Sequence, residues 1–301
     1  MEPSFLVFLQ KSPFNMVLFG TAVVTGEIWV KVPQTLLIEW SGGLGPGISA
    51  KDMMLHLCRQ LGLDGADYQA VQYTGSAISA LSMQERMTLC NMAAEIGAQT
   101  ALVAPDTTTR DWLQQVAGVD PAQIELAQWQ GDADAPLGAH HRFDASSLAP
   151  QVAAPHSPAN AGPVGEHVHQ PIQVAYLGAC TGAKLDDLRM AASVLRGRRI
   201  ASGVRLMVGA ASLHDQQQAE REGTLGVLQQ SGAELLPNAC GACAGYGAYR
   251  FNADTVVISS TARNFKGRMG SAEARVYLGS PYTVAASAVT GQISDPRELL
   301  A

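Results

Sequence analysis

Two hydrophobic periods alternate along the chain. Residues 18–40 read as a helix end that feeds a strand from Thr35, followed by the turn-rich Ser41-Gly-Gly-Leu-Gly-Pro-Gly47. Met53, Met54, Leu57 and Leu61 then recur at helical spacing behind Ser49, a natural N-cap. A short strand over Ala70–Tyr73 precedes a helix that Ser82 opens and that runs through Gly97, with Glu85 placed to close a capping box. Thr100–Ala104 reads as a strand, and Asp106 caps a helix to about Ala117. Strand–helix alternation of this kind predicts an α/β fold with helices covering a mostly parallel sheet.

From Asp120 to about Gln170 the periodicity vanishes, and Pro, Ala and His cluster in Ala139-His-His-Arg142, Pro155-His-Ser-Pro158 and His167-Val-His169. This stretch, 121–170, is expected to be a linker laid over the surface. Alternation resumes with strands at Val174–Leu177, Val204–Val208, Glu234–Leu236, Thr255–Ser259 and Tyr277–Gly279. Helices are expected over Lys184–Leu195, Leu213–Gln230 and Pro281–Gln292. The predicted organisation is an N-terminal remnant over 1–17, an α/β domain over 18–120, the linker, and a second α/β domain over 171–301.

Composition narrows the classes. Of 301 residues, 47% are hydrophobic and 15% charged, a globular balance. A net charge of −6 argues against nucleic acid or an anionic membrane as a wholesale partner. The apolar opening Met1–Val24 is broken by Pro3, Lys11 and Pro13, and has neither the basic start of a signal peptide nor the run of a membrane helix. Five cysteines, an odd count, favour a reducing compartment such as the cytoplasm, where thiols bind metal or react rather than pair.

The densest chemistry lies in Asn238-Ala-Cys-Gly-Ala-Cys-Ala-Gly-Tyr246, where Cys240 and Cys243 stand three apart among glycines and alanines. Cys180 ends a predicted strand in Tyr176-Leu-Gly-Ala-Cys-Thr-Gly182. Three thiols in tight, small-residue turns point to a metal or iron–sulfur site. A bare CxxC is equally a redox pair, a zinc half-site or two core cysteines. Cys58 and Cys90 lie on predicted helices and read as packing. Asn91 and Glu95 are four apart, so a helix would place them on one face. Arg263 and Arg268 follow a predicted strand, at the edge where open α/β sheets bind ligands.

Taken together, these segments resemble the aconitase family, nearest its isopropylmalate isomerase (3-isopropylmalate dehydratase) large-subunit branch. The resemblance runs from about residue 18 to the C-terminus. It rests on Gly178-Ala-Cys-Thr, Pro237-Asn-Ala-Cys-Gly-Ala-Cys, Arg263-Asn-Phe-Lys-Gly-Arg-Met-Gly270, the stretch Leu278–Gly291, Met87–Ala98 and Pro150–Pro158. It implies a [4Fe–4S] cluster held by Cys180, Cys240 and Cys243, with the fourth iron open to a substrate hydroxyl and carboxylate. It also implies that Arg263 and Arg268 hold substrate carboxylates, and that Asn91 and Glu95 stand near the substrate and an iron-bound water. The implied reaction dehydrates and rehydrates a 2-hydroxy di- or tricarboxylate of the isopropylmalate, homoaconitate or methylmalate class. The implied partners are a small, swivelling-domain subunit and a chain supplying the family's first domain, which has no counterpart before residue 18.

Two departures stand out. Gly182 replaces the family's asparagine after Cys-Thr, and Ala262 replaces the first asparagine of its Asn-Arg-Asn. Both remove amides near the cysteines and suggest a divergent substrate. Two other readings stay open: a cluster-binding relative without catalysis, and a zinc protein using the three cysteines with a linker histidine.

Overall fold

Alternation over residues 35–41 puts Leu36, Ile38 and Trp40 on one side of a strand, and all three are buried in the computed structural model. The structure describes residues 23–27, 31–132, 134–246 and 248–300. The expected remnant 1–17, and most of the helix end before Thr35, lie outside them. Strand β1 (Thr35–Ser41) is followed by α1 (Ala50–Leu61), β2 (Ala70–Thr74), α2 (Ser76–Ala80), α3 (Met83–Met92), β3 (Thr100–Val103) and α4 (Thr107–Ala117). Next come β4 (Leu137–Asp144), β5 (Gln151–Ala153), β6 (Ala161–Pro163), β7 (Val174–Gly178), α5 (Ala179–Gly182) and α6 (Leu185–Leu195). The chain closes with β8 (Arg205–Gly209), α7 (Leu213–Arg221), α8 (Thr224–Ser231), β9 (Glu234–Leu235), β10 (Val256–Ser259), β11 (Arg275–Gly279) and α9 (Pro281–Thr290).

Two sheets result, and the fold is α/β with mostly parallel strands, as the alternation predicts. The first is all parallel in the order β3-β2-β1-β4. The second has the order β6-β5-β11-β10-β7-β8-β9, antiparallel only where β5 meets β11 and β6. Among the described residues, no helix is long and apolar enough to cross a membrane.

Three expectations need correction. Residues 121–170 are not a surface linker. Their β4 pairs along the whole of β1, and β5 and β6 extend the second sheet. The mixed Pro, Ala and His composition hid these strands because two of them are only three residues long. Buried Asp52 anchors the stretch: one carboxylate oxygen accepts the Gln151 N–H at 2.8 Å and the other the Ser49 N–H at 2.8 Å. Burial pushes the Asp52 carboxyl up to about 6.

The helix expected from Ser82 to Gly97 ends at Met92, tightens into a 3₁₀ turn over Ala93–Ile96, and stops at Gly97 in the left-handed region. Ser82 Oγ accepts the Glu85 N–H, and the Glu85 carboxylate also accepts the Ala50 N–H at the start of α1. Likewise, Gly223, at φ +84°, breaks the helix expected over 213–230 into α7 and α8.

The second sheet is apolar on both faces. Ala175 and Leu177 of β7, with Leu206, Val208 and Ile258, pack against α6 and α9. Val174 and Tyr176, with Met207, Val257 and Val276, pack instead against residues 236–251 and 269–274, which include Leu236, Ala242, Phe251 and Met269. One face is therefore covered by helices and the other by the loops that carry Cys240, Cys243 and Arg268. The first core reaches across to the second sheet through Ala153, Ala161 and Leu278.

Lys51 is a polar tie between the two units. Its buried ammonium donates to the Thr261 carbonyl at 2.6 Å, beyond β10, and to Met92 Sδ at 3.4 Å. Burial pulls its pKa down to about 8. Between that value and the roughly 10.4 of an unfolded lysine, the unfolded chain binds the extra proton, so stability rises with pH. The stability difference between wild type and Lys51→Met should shift toward wild type by up to about 3 kcal/mol from pH 8 to pH 10.5. Urea titrations across that window check it, and a flat difference contradicts it.

Candidate functional site

The strand order of the second sheet places the site. From β7 the chain moves outward through β8 to β9, then returns to β10 on the other side of β7 and moves on to β11. Loops leaving β7 and β10 therefore part in opposite directions, which opens a crevice at the carboxyl ends of these strands. The turn after β7 carries Cys180, and the loop after β10 carries Arg263. The segment after β9 carries Cys240 and Cys243, with a 3₁₀ turn over Gly241–Ala244.

Cys243 packs against the cluster of the buried Tyr176. Tyr176 projects to the loop-covered face, and its pKa is driven far up, first by burial and then by the charges of Cys243, Cys240 and Cys180. Cys180 and Cys240 are exposed and Cys243 half-buried. Burial pushes the Cys243 thiol up, while Arg268 pulls against this with Nη2 at 3.9 Å from Sγ. Arg268 Nε is buried and lacks a protein partner. Across the crevice, Asn91 Nδ2 lies 3.8 Å from Cys180 Sγ, and Asn91 Oδ1 accepts from Thr181 Oγ1 at 3.3 Å. Glu95 is buried and accepts from Arg263 Nε in a short charged contact. The 3₁₀ winding after Met92 removes Asn91 and Glu95 from a shared helix face. One meets the Cys180 turn and the other the Arg263 loop.

Among the described residues, no three His, Cys, Asp or Glu side chains come together tightly enough to hold one ion. Three thiolates on a single zinc would each stand about 2.3 Å from it. Three of the expected linker's histidines have other partners: His140 contacts Glu39, His167 lies against the Tyr277 ring, and His169 contacts Gln292. An iron–sulfur cluster suits the donor set: three soft thiols, supplied from two loops, with small residues around them and Arg268 beside Cys243. Cys58 is in the core and Cys90 packs against it, as read from their helices.

The substituted position Gly182 has a structural partner. A Cβ there would lie 2.3 Å from the Ser260 carbonyl oxygen and 2.4 Å from its side chain. The room an asparagine needs is filled by Ser260. Sequence reasoning missed Ser260, Lys51, Lys184 and Thr88, which act through backbone carbonyls rather than through a motif.

A family model described as aconitase family (aconitate hydratase) matches residues 19–174 and 166–291. A 3-isopropylmalate dehydratase large subunit 1 of Methanopyrus kandleri is 41% identical over 276 residues, covering 92% of this chain and 65% of that protein. A probable methanogen homoaconitase large subunit of Methanosarcina mazei is 41% identical over 277 residues, covering 91% and 68%. The chain thus spans about two thirds of the length of these curated relatives. A solved structure of Thermococcus kodakaraensis aconitase X (holo-form) aligns with 81% of this chain and 53% of its own, at TM-score 0.46 and 14% identity.

The Glu95–Arg263 pair gives a direct test of the crevice. Glu95→Gln keeps the shape and leaves a buried guanidinium uncompensated, which should cost about 3 kcal/mol in urea unfolding. A loss below about 1 kcal/mol, typical of exposed pairs, would contradict the pairing.

Proposed function

This chain belongs to the aconitase family, and we propose that it is the large-subunit-type part of a [4Fe–4S]-dependent hydro-lyase acting on a 2-hydroxy di- or tricarboxylate. The observation that carries the reading is that the turn bearing Cys180 and the segment bearing Cys240 and Cys243 both follow parallel strands of the second sheet, at the edge where its strand order reverses. Relatives named as dehydratase and homoaconitase large subunits support the reaction class. Their names also support a small subunit as partner, and a substrate of the isopropylmalate or homoaconitate kind.

Cys180, Cys240 and Cys243 would hold the cluster. When bound, it supplies a Lewis acid at an iron without a protein ligand, which polarises a departing hydroxyl. The chain's own residues do the rest. Arg268, beside the Cys243 sulfur, would take a substrate carboxylate on its guanidinium, whose fork geometry suits two oxygens better than an ammonium would. Arg263 fixes the Glu95 carboxylate in one orientation, where it can hold or pass a proton. Asn91, between the Cys180 sulfur and the Thr181 hydroxyl, is placed to donate a hydrogen bond into the crevice. A role as a cluster-binding relative without catalysis differs from this one in turnover alone.

Anaerobic reconstitution with iron and sulfide should give a brown chain with visible charge-transfer absorption, and iron and acid-labile sulfide in equal amounts. Cys243→Ser should lose that absorption, because a serine hydroxyl stays protonated at neutral pH where a thiol can ionise. A colourless wild type, or a serine variant that keeps full iron, contradicts the assignment. Turnover of 2-isopropylmalate and homocitrate with a small subunit present then separates the enzyme from the inactive relative.

A further inference from the structure

Behind the cysteines lies a layer of buried polar side chains that the proposed chemistry does not use. It surrounds the turn Ala179–Gly182. Ala179 sits at φ +60°, in the left-handed region that a residue with a Cβ avoids, so this turn is not the chain's local preference. Something must hold it, because Cys180 is the next residue.

The holding contacts come from outside the turn. Ser260 Oγ accepts the Gly178 N–H at 3.0 Å and donates to the Gly182 carbonyl at 2.8 Å, bracketing the turn at both ends. Lys184 Nζ donates to the Thr181 carbonyl at 3.0 Å, beside the cysteine, and to Thr88 Oγ1 at 2.8 Å on the helix that carries Asn91. Asp187 neutralises that ammonium, and its Oδ2 also accepts the Lys184 N–H at 2.9 Å, capping α6. Lys184, Asp187, Thr88 and Ser260 are all more than nine-tenths buried. A buried ion pair contributes little net stability, since desolvation offsets its attraction. Its value here is therefore geometric: it joins the Cys180 turn to the Asn91 helix through one ammonium.

We propose that Lys184 is a positioning residue for the Cys180 thiol. Its ammonium latches the strained turn to α3, so that the sulfur stands in its ligating place before iron arrives. The inference rests on the cluster reading for its purpose, though not for its structure. Asn91 and Cys180 then move as one body, because the same ammonium ties their two segments together.

The test is Lys184→Met/Asp187→Asn in the full chain. It removes both charges, and the asparagine oxygen still caps α6. A charge-assisted hydrogen bond is worth about a factor of ten or more, so amide deuterium uptake across residues 176–184 should quicken about tenfold. Uptake in the first sheet should stay unchanged, and the melting temperature should stay within a few degrees. The reconstituted variant should release iron to a chelator about tenfold faster than wild type. Wild-type uptake and iron release in the folded variant overturn the proposal. Should the double variant fail to fold, Thr88→Val removes one acceptor of Lys184 and leaves the ion pair intact. It should move both readouts the same way by about threefold, and wild-type rates there overturn the proposal equally. A wild-type chain that takes up no iron would refute the cluster reading alone, since the deuterium result still decides whether the latch exists.

Discussion

Parallel strands deliver their following loops to one edge of a sheet, and the order β11-β10-β7-β8-β9 makes those loops part between β7 and β10. Cys180 and Arg263 lie on either side of that parting, and the Cys240–Cys243 segment folds back over the face between them. That covering face is apolar where it meets the sheet and rich in sulfur and arginine where it meets the crevice. Alternation along β7 decides which is which: Ala175 and Leu177 go to the helices, Val174 and Tyr176 to the loops.

Buried charge sets the fine geometry. Lys51 holds the Thr261 carbonyl, Lys184 the Thr181 carbonyl, and Arg263 the Glu95 carboxylate. The Lys51 and Arg263 contacts join segments distant in sequence, as does the bond from Lys184 to Thr88, and each is dear to leave half-made, because an unpaired buried ion costs several kcal/mol. The result is a polar lattice that keeps the first unit's helix α3 in register with the loops of the second. Activity of the kind proposed needs that register, since Asn91 and Glu95 come from one unit and the thiols and arginines from the other.

Much of this was legible in the residues. Period-2 and period-3.6 patterning located most strands and helices, and caps such as Ser49 and Asp106 marked helix starts that the structure keeps. The three cysteines could be named from small-residue turns after strands. What stayed hidden had physical reasons. Strands β5 and β6 are too short to show a period, and β4 alternates only weakly, with residues that are at most half-buried. Gly223 breaks a helix whose side-chain pattern runs on through it. Glu85, expected only as part of a cap, also takes the Ala50 amide across the fold. Lys51 and Lys184 stand at helix starts, and only tertiary burial reveals their carbonyl partners.

The central claim is that three thiols from two loops share one inorganic group. Alkylation of the cysteines, read by mass spectrometry before and after anaerobic reconstitution, addresses it most directly. Cys180, Cys240 and Cys243 should become protected together and in the same proportion as the iron bound, while labelling of Cys90 stays as it was. If any one of the three remains as reactive in the iron-loaded chain as in the iron-free one, the account is contradicted.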